Sequence, residues 1–200
     1  MISRDRSQDR QTGTTRPAAA ATRMSGAIPP IEALPFGLID EPLDYLFADH
    51  FRGRCICLML QRFAELHEAS RKDADTVIAF LTHDLPLHYA DEEIDLFPLL
   101  RKRALVEDDL GIPLARLTAD HRALEAQAEH IVDVLAASPA LDRVLITTVE
   151  AENMLAYAAS EHAHLAIENG IILAIARIRL TRSDLKALSQ SMKLRRGVPN

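Results

Sequence analysis

The sequence predicts an all-α protein: an antiparallel up-down four-helix bundle with a short extra C-terminal helix. Three observations lead there. Helix start and stop signals divide the chain into four long stretches. Within them, residues of one kind recur three and four positions apart, the period of a helix face. No run alternates apolar with polar residues as a half-buried strand would. Long helices joined by short connections pack as antiparallel neighbours.

The elements follow in order. The opening "MISRDRSQDRQTGTTRPAAAATRMSGAIPP" is rich in Arg, Ser, Thr, Ala and Pro and nearly lacks large apolar residues. Residues 1–35 therefore read as a disordered, solubilising tail. Asp5 and Asp9 argue against an organelle transit peptide, and no apolar stretch suits a secretory signal. The bundle is expected over residues 40–181. Asp40-Glu41-Pro42 starts the first helix with a capping side chain, an acid for the dipole and a first-turn proline, and this helix runs to about Ala69. Ser70 with Asp73 is a capping box for the second, reaching about Arg103, with a kink expected at Pro86. Gly111-Ile112-Pro113 breaks the chain and opens the third, which ends near Ala137. Ser138-Pro139 is expected to cap the fourth, which runs to about Leu180. Ser183 caps a short fifth helix, "SDLKALSQSM", and residues 182–200 are that helix and a basic, frayed tail.

Composition narrows the function. At 48% hydrophobic and 26% charged residues the chain is globular, and a net charge of -6 gives no reason to expect nucleic acid as a partner. No stretch reaches the roughly 18 consecutive apolar residues of a membrane span, so no membrane partner is expected either. The two cysteines, Cys55 and Cys57, would point to roughly opposite sides of a helix and cannot form a disulfide framework. That suits a reducing compartment, and a cytoplasmic location is expected.

The informative stretch is "HLAIENGIILAIAR", residues 164–177. It is apolar enough to be buried, yet it carries His164 and Glu168 on one face, and a buried carboxylate is costly unless paired or metal-bound. Side chains three, four or seven apart share a helix face. By that rule the second helix repeats the arrangement with His88 and Glu92, and the third offers His121 and Glu125. The first offers His50, with Gly53 and Cys57 on the same face. A weak repeat supports the pattern: "FADHFRGR" matches "TADHRALE", and "HYADEEIDLFPLLRKR" matches "HLAIENGIILAIARIR". Two helix pairs of one plan would bring four histidines to one level. Counting at about 1.5 Å per residue, the first two connections agree with that. The third does not: about twelve to sixteen residues descend from His121 and about twenty-four return to His164, so the fourth helix should begin with an overhang or a bend.

Four imidazoles and two or three carboxylates in one bundle suit a pair of transition-metal ions, with a carboxylate able to bridge them. Ferritin-like di-iron bundles use Glu-x-x-His, whereas here His-x-x-x-Glu occurs twice. At these residues the chain resembles the hemerythrin family, specifically its bacterial His-His-Glu (HHE) cation-binding domains. The resemblance covers about residues 40–180 and includes Leu96-Phe97-Pro98 after the second-helix pair. It implies a non-haem di-iron centre, with two Fe ions bridged by oxo and carboxylate groups. His50 and His88 would bind one iron, His121 and His164 the other, and Glu92 and Glu168 would bridge them. In the oxygen-carrying members a second His stands four after the third-helix histidine, where this chain has Glu125. Those members also end the fourth-helix motif with an Asp five after its His, where this chain has Glu168 at four. Both departures imply a more carboxylate-rich ligand set, with Glu125 as a seventh metal-site residue, like members tied to iron, nitric oxide or redox responses.

The function expected is therefore binding or sensing of a small diatomic or peroxide ligand (O2, NO, hydrogen peroxide) or of iron itself. Ile171, Ile172 and Leu173 would wall the site from water. One alternative is a di-iron oxidase or peroxidase, although no general acid or substrate pocket is legible. The other is a non-catalytic iron or zinc sensor acting through a protein partner, for which no motif is visible. His67, His83, His130 and His162 fall off the shared faces. Cys57 and Tyr157 are expected in the core. Asp49, Asp120 and Glu93 are expected to be solvated, unless one of them orients an imidazole.

Overall fold

Pro42 sets the start of α1 (Pro42–Leu66): its fixed φ and missing N–H suit a first helical turn. Residue 28, residues 31–137 and residues 140–199 are described in the computed structural model of the chain. No side chain caps α1, contrary to expectation. Asp40 instead takes a 2.6 Å contact from Lys193 Nζ. The helix stops at His67, whose φ of 52° is left-handed.

The second arm begins as expected, with Ser70 Oγ accepting from the Asp73 N–H. It then runs as α2 (Arg71–Ala79), α3 (Leu85–Ala90) and α4 (Phe97–Arg103). Two π turns join these pieces, at Phe80–Asp84 and Asp91–Leu96. Each turn ends one residue before a position where a proline follows. Pro86 and Pro98 cannot donate a backbone bond, and their rings crowd the carbonyl four residues earlier. The preceding N–H groups reach back five residues instead, Leu85 to Phe80 O and Phe97 to Glu92 O. The kink expected at Pro86 is thus one of two widened turns.

The third arm is α5 (Gly111–Ala136), opening at the predicted glycine. The fourth arm requires a correction. Ser138 and Pro139 lie outside the described residues, but the helix they were expected to cap starts later, as α6 (Thr148–Ile167). Its capping box is Thr147 with Glu150: the threonine hydroxyl accepts the Glu150 N–H, and the Glu150 carboxylate accepts the Thr147 N–H at 2.6 Å. A π turn, Glu168–Ile172, leads into α7 (Leu173–Arg179). Before α6 the chain forms strand β2 (Arg143–Leu145), antiparallel to β1 (Glu68–Ser70), with Ala69 opposite Val144. The expectation of no strand fails here because three-residue strands carry no legible alternation. The late start also removes the mismatch in helix heights. About sixteen residues lead from Thr148 to His164, against about fifteen from His121 to Ala136.

The last helix, α8 (Arg182–Arg195), is capped by Thr181 rather than Ser183 and runs into the segment expected to fray. It packs on α1, on the 3-10 turn Phe36–Asp40 and on the Asp91–Leu96 turn. Asp91, fully buried, holds it through Arg195 and Arg196. Residues 1–27, 29 and 30 of the expected tail lie outside the described residues, but Ile28 and Ile31 pack against the core.

The arms form a helical bundle in which α1 packs on α6, α6 on α5 and α5 on α2. Its interior has two apolar clusters. One takes residues such as Leu60, Val77, Ile131 and Met154 near the paired strands β1 and β2. The other takes Leu46, Leu100, Leu117 and Ala176 towards the opposite end. On three arms the residues between these clusters include the buried histidine, and on the second arm they include Glu92, with His88 at the edge of the first cluster beside Tyr89. A polar layer therefore crosses the middle of the core. No helix among the described residues is long and apolar enough to cross a membrane.

Candidate metal centre

Each arm delivers one histidine to this layer: His50 from α1, His88 from α3, His121 from α5 and His164 from α6. All four are at most 4% exposed. Glu92 and Glu168 are fully buried; Glu168 opens a π turn of its arm, and Glu92 is the second residue of another. Such turns are frequent at functional sites, because widening the helix re-aims the side chains around it.

The Nε2 atoms converge on these two carboxylates. His50 Nε2 lies 3.6 Å from Glu92 Oε1 and 3.4 Å from Glu168 Oε2. His88 Nε2 is 3.6 Å from Glu92 Oε2. His121 Nε2 is 3.3 Å from Glu92 Oε2 and 3.6 Å from Glu168 Oε1, while His164 Nε2 is 2.8 Å from Glu168 Oε1. Two four-residue groups result, His50, His88, Glu92 and Glu168, and His121, His164, Glu92 and Glu168. Within each, the ligating atoms lie within 4.8 Å of one another. Both carboxylates belong to both groups.

Two of the outward ring nitrogens are hydrogen-bonded, and the other two face a carboxylate without a hydrogen bond. His50 Nδ1 donates to Asn169 Oδ1 at 2.8 Å, and His121 Nδ1 donates to Glu93 Oε1 at 2.7 Å. His88 Nδ1 is 3.3 Å from Asp49 Oδ2, and His164 Nδ1 is 3.8 Å from Asp120 Oδ2. A proton held on Nδ1 leaves the Nε2 lone pair facing inward, the usual support behind a metal-binding imidazole. Asp49, expected to be solvated, is instead buried and fixed by Arg52 Nη1 at 2.7 Å. Glu93 and Asp120 are half-buried beside the rings.

The electrostatics match a layer of compensating charge. Burial alone would disfavour charged imidazole at His88, but the Glu92 and Asp49 carboxylates raise it to about 10. Burial opposes charge at His121 too, and the Glu168 and Glu92 carboxylates beside it take it to about 10. Glu92, which burial alone would raise, is held well below the usual carboxylate range by His88, His121 and His50.

This donor set fits metal ions. His50 Nε2 and all four carboxylate oxygens of Glu92 and Glu168 are buried without a hydrogen-bond partner. Buried polar atoms in folded proteins are nearly always satisfied, and a shared cation satisfies these together. Imidazole with carboxylate suits iron, zinc and other first-row ions.

Glu125 is the expected site residue that the fold does not bring in. It is exposed and lines a surface cavity of about 430 Å³ with Leu81, Thr82, Leu85 and Pro86. The buried stripe of α5 runs Leu114, Leu117, His121, Leu124, Ala128, Ile131, Leu135, alternating steps of three and four. After His121 the inward position is three residues on, at Leu124, so Glu125 falls on the flank. Ile171 is likewise 38% exposed, whereas Ile172 and Leu173 are buried. His67, His83 and His130 are exposed and His162 is half-buried. Cys57 and Tyr157 sit in the core, as expected.

Four residues near the centre stand outside the expected ligand set: Asn169 and Glu161, which the sequence did not single out, and Asp49 and Glu93, expected to be solvated unless one oriented an imidazole. Three of them pair with a histidine of another arm, which no local spacing encodes. Glu161, 3% exposed, lies three before His164 and seven before Glu168 on the same face, a signal present in the sequence.

A helical bundle whose buried middle layer pairs four histidines around two shared carboxylates defines a class, the cation-binding bundles. This chain belongs to the hemerythrin HHE cation-binding domain family, which it matches over residues 41–177. It is also similar to an uncharacterised protein of Haemophilus influenzae, with 29% identity over 112 residues. That match covers 51% of this chain and 65% of the relative, just under two thirds of the relative's length.

Proposed function

We propose that the chain is a non-haem di-iron protein built as an antiparallel up-down four-helix bundle. His50 and His88 hold one ion, His121 and His164 hold the other, and Glu92 and Glu168 join the two. The observation that carries the reading is the sharing of both buried carboxylates by both groups. Two histidines and two carboxylates leave an iron short of six ligands. Iron held so supplies electron exchange and exchangeable positions for a small molecule such as O2, NO or peroxide.

The chain's own residues do the rest. Asn169, Asp49 and Glu93 hold three imidazoles in register, and Ile172, Leu173 and the neighbouring apolar cluster keep bulk water from the layer. With Glu125 outside, the ligand set has four histidines rather than the five of oxygen carriers. This favours redox or sensing chemistry over reversible oxygen carriage. We take the compartment to be a reducing cytoplasm, in keeping with the unpaired thiols of Cys55 and Cys57.

The test is to replace each shared carboxylate. Glu92→Gln and Glu168→Gln remove an anionic bridge while keeping the shape, so each variant should lose bound iron or change its spectrum. Full occupancy with unchanged spectra in both variants would overturn the assignment.

A further inference from the structure

One buried polar group beside the centre belongs to neither set of four. Glu161 stands one turn before His164 on α6, and its Oε2 has no hydrogen-bond partner. Its Oε1 packs over Gly53, one turn after His50 on α1, where a Cβ would lie 3.4 Å away. The carboxylate thus packs directly on the α1 backbone, where even a methyl group would reach it at contact distance. The carboxylate therefore lies between α1 and α6, one turn from His164 of one group and beside the Gly53 that follows His50 of the other. A second buried atom without a partner is Tyr89 Oη, whose ring stacks 3.9 Å from His121.

A buried carboxylate with an unsatisfied oxygen is costly. It is also set apart from the two clusters whose ligating atoms lie within 4.8 Å of one another. An additional small molecule between Glu161 and the ions accounts for both facts. A carboxylate oxygen accepts hydrogen bonds and repels anions, so the fitting molecule carries an O–H group.

We propose that Glu161 is the protein contact for the small molecule held at the centre, accepting a hydrogen bond from a protic ligand, water or a hydroperoxide. This rests on the paired-ion reading above. It makes the centre selective for protic ligands over aprotic anions such as azide.

The test is an azide titration of the iron-loaded protein, followed by absorption, for the wild type, Glu161→Gln and Glu161→Leu. Metal analysis of each comes first. Both variants should keep the wild-type iron content and bind azide about tenfold more tightly, the scale of removing one like-charge contact from a partly screened interior. Gln preserves the shape of the side chain, so folding is retained in at least that variant. Azide affinity unchanged in both variants overturns the proposal. Loss of iron from both overturns it too, by making Glu161 a ligand. A wild-type chain without paired iron instead fails the paired-ion reading, before any variant is compared.

Discussion

Replacing Asp91 tests how the C-terminal helix is held against the arm that carries Glu92. Asp91 is fully buried, and its carboxylate accepts from Arg196 Nη2 at 2.6 Å, from Arg196 Nη1 at 3.1 Å and from Arg195 Nη1. Arg195 has a second partner, Asp95, at 2.6 Å. The Arg196 side chain is only 6% exposed, and its remaining partners are neutral, the Tyr45 hydroxyl and the Met192 carbonyl, each at 3.2 Å. Asp91→Ala therefore strands a buried guanidinium, a loss of about 3–5 kcal/mol. Release of α8 sets a ceiling, since its docking buries Leu188 and Met192, worth about 1.5–3 kcal/mol each. The two routes cost about the same, so the expected loss is about 3–5 kcal/mol by either. For a chain of this size that lowers Tm by roughly 10 °C. Urea unfolding measures the loss, and hydrogen exchange shows whether α8 is released. The pair Asp91→Leu with Arg196→Met removes both charges and should recover stability to within about 1–2 kcal/mol of wild type. A single variant within about 1 kcal/mol of wild type, or a double variant as unstable as the single, would refute the reasoning.

Two further outcomes are expected. Asn169→Leu removes the acceptor behind His50 Nδ1 and should weaken metal binding by about 10–100-fold in a chelator competition; unchanged affinity would mean that His50 needs no such support. Glu125→Gln alters an exposed side chain on the flank of α5, so iron content and the absorption spectrum should match wild type; loss of an ion in this variant would restore Glu125 as a ligand.

Local signals were legible where the chemistry is local. Pro42, Ser70 with Asp73 and Gly111 each mark a helix start because a cap or a missing donor acts within one turn. The fourth start was misplaced because Ser138-Pro139 offered an earlier signal of the same kind, while the Thr147 and Glu150 box stood unread downstream. Pro86 announced a kink, but the i-to-i-5 bonding around it has no periodic signature, and Gly170 gave no cue to the third π turn. At the centre, His50, His88, His121, His164, Glu92 and Glu168 were legible because their spacings place them on inward faces. Glu125 misled because positions three and four after His121 differ by about 100°, and packing gave the inward one to Leu124. Asp49 and Glu93 were legible only as acids of which one could orient an imidazole, and their partners, like that of Asn169, lie on other arms and appear only in the assembled bundle.

Metal content and spectrum of the iron-loaded chain, measured with and without chelator, test the central claim most directly. The expected result is two irons per chain, with charge-transfer bands that azide shifts and that a zinc-loaded chain lacks. Because the metal binds only the folded state, free iron at about 100 times Kd should add about 2.7 kcal/mol of stability, read as a higher Tm that the chelator abolishes. A chain that takes up no iron pair, shows no such bands and melts at one temperature in both conditions would contradict the account.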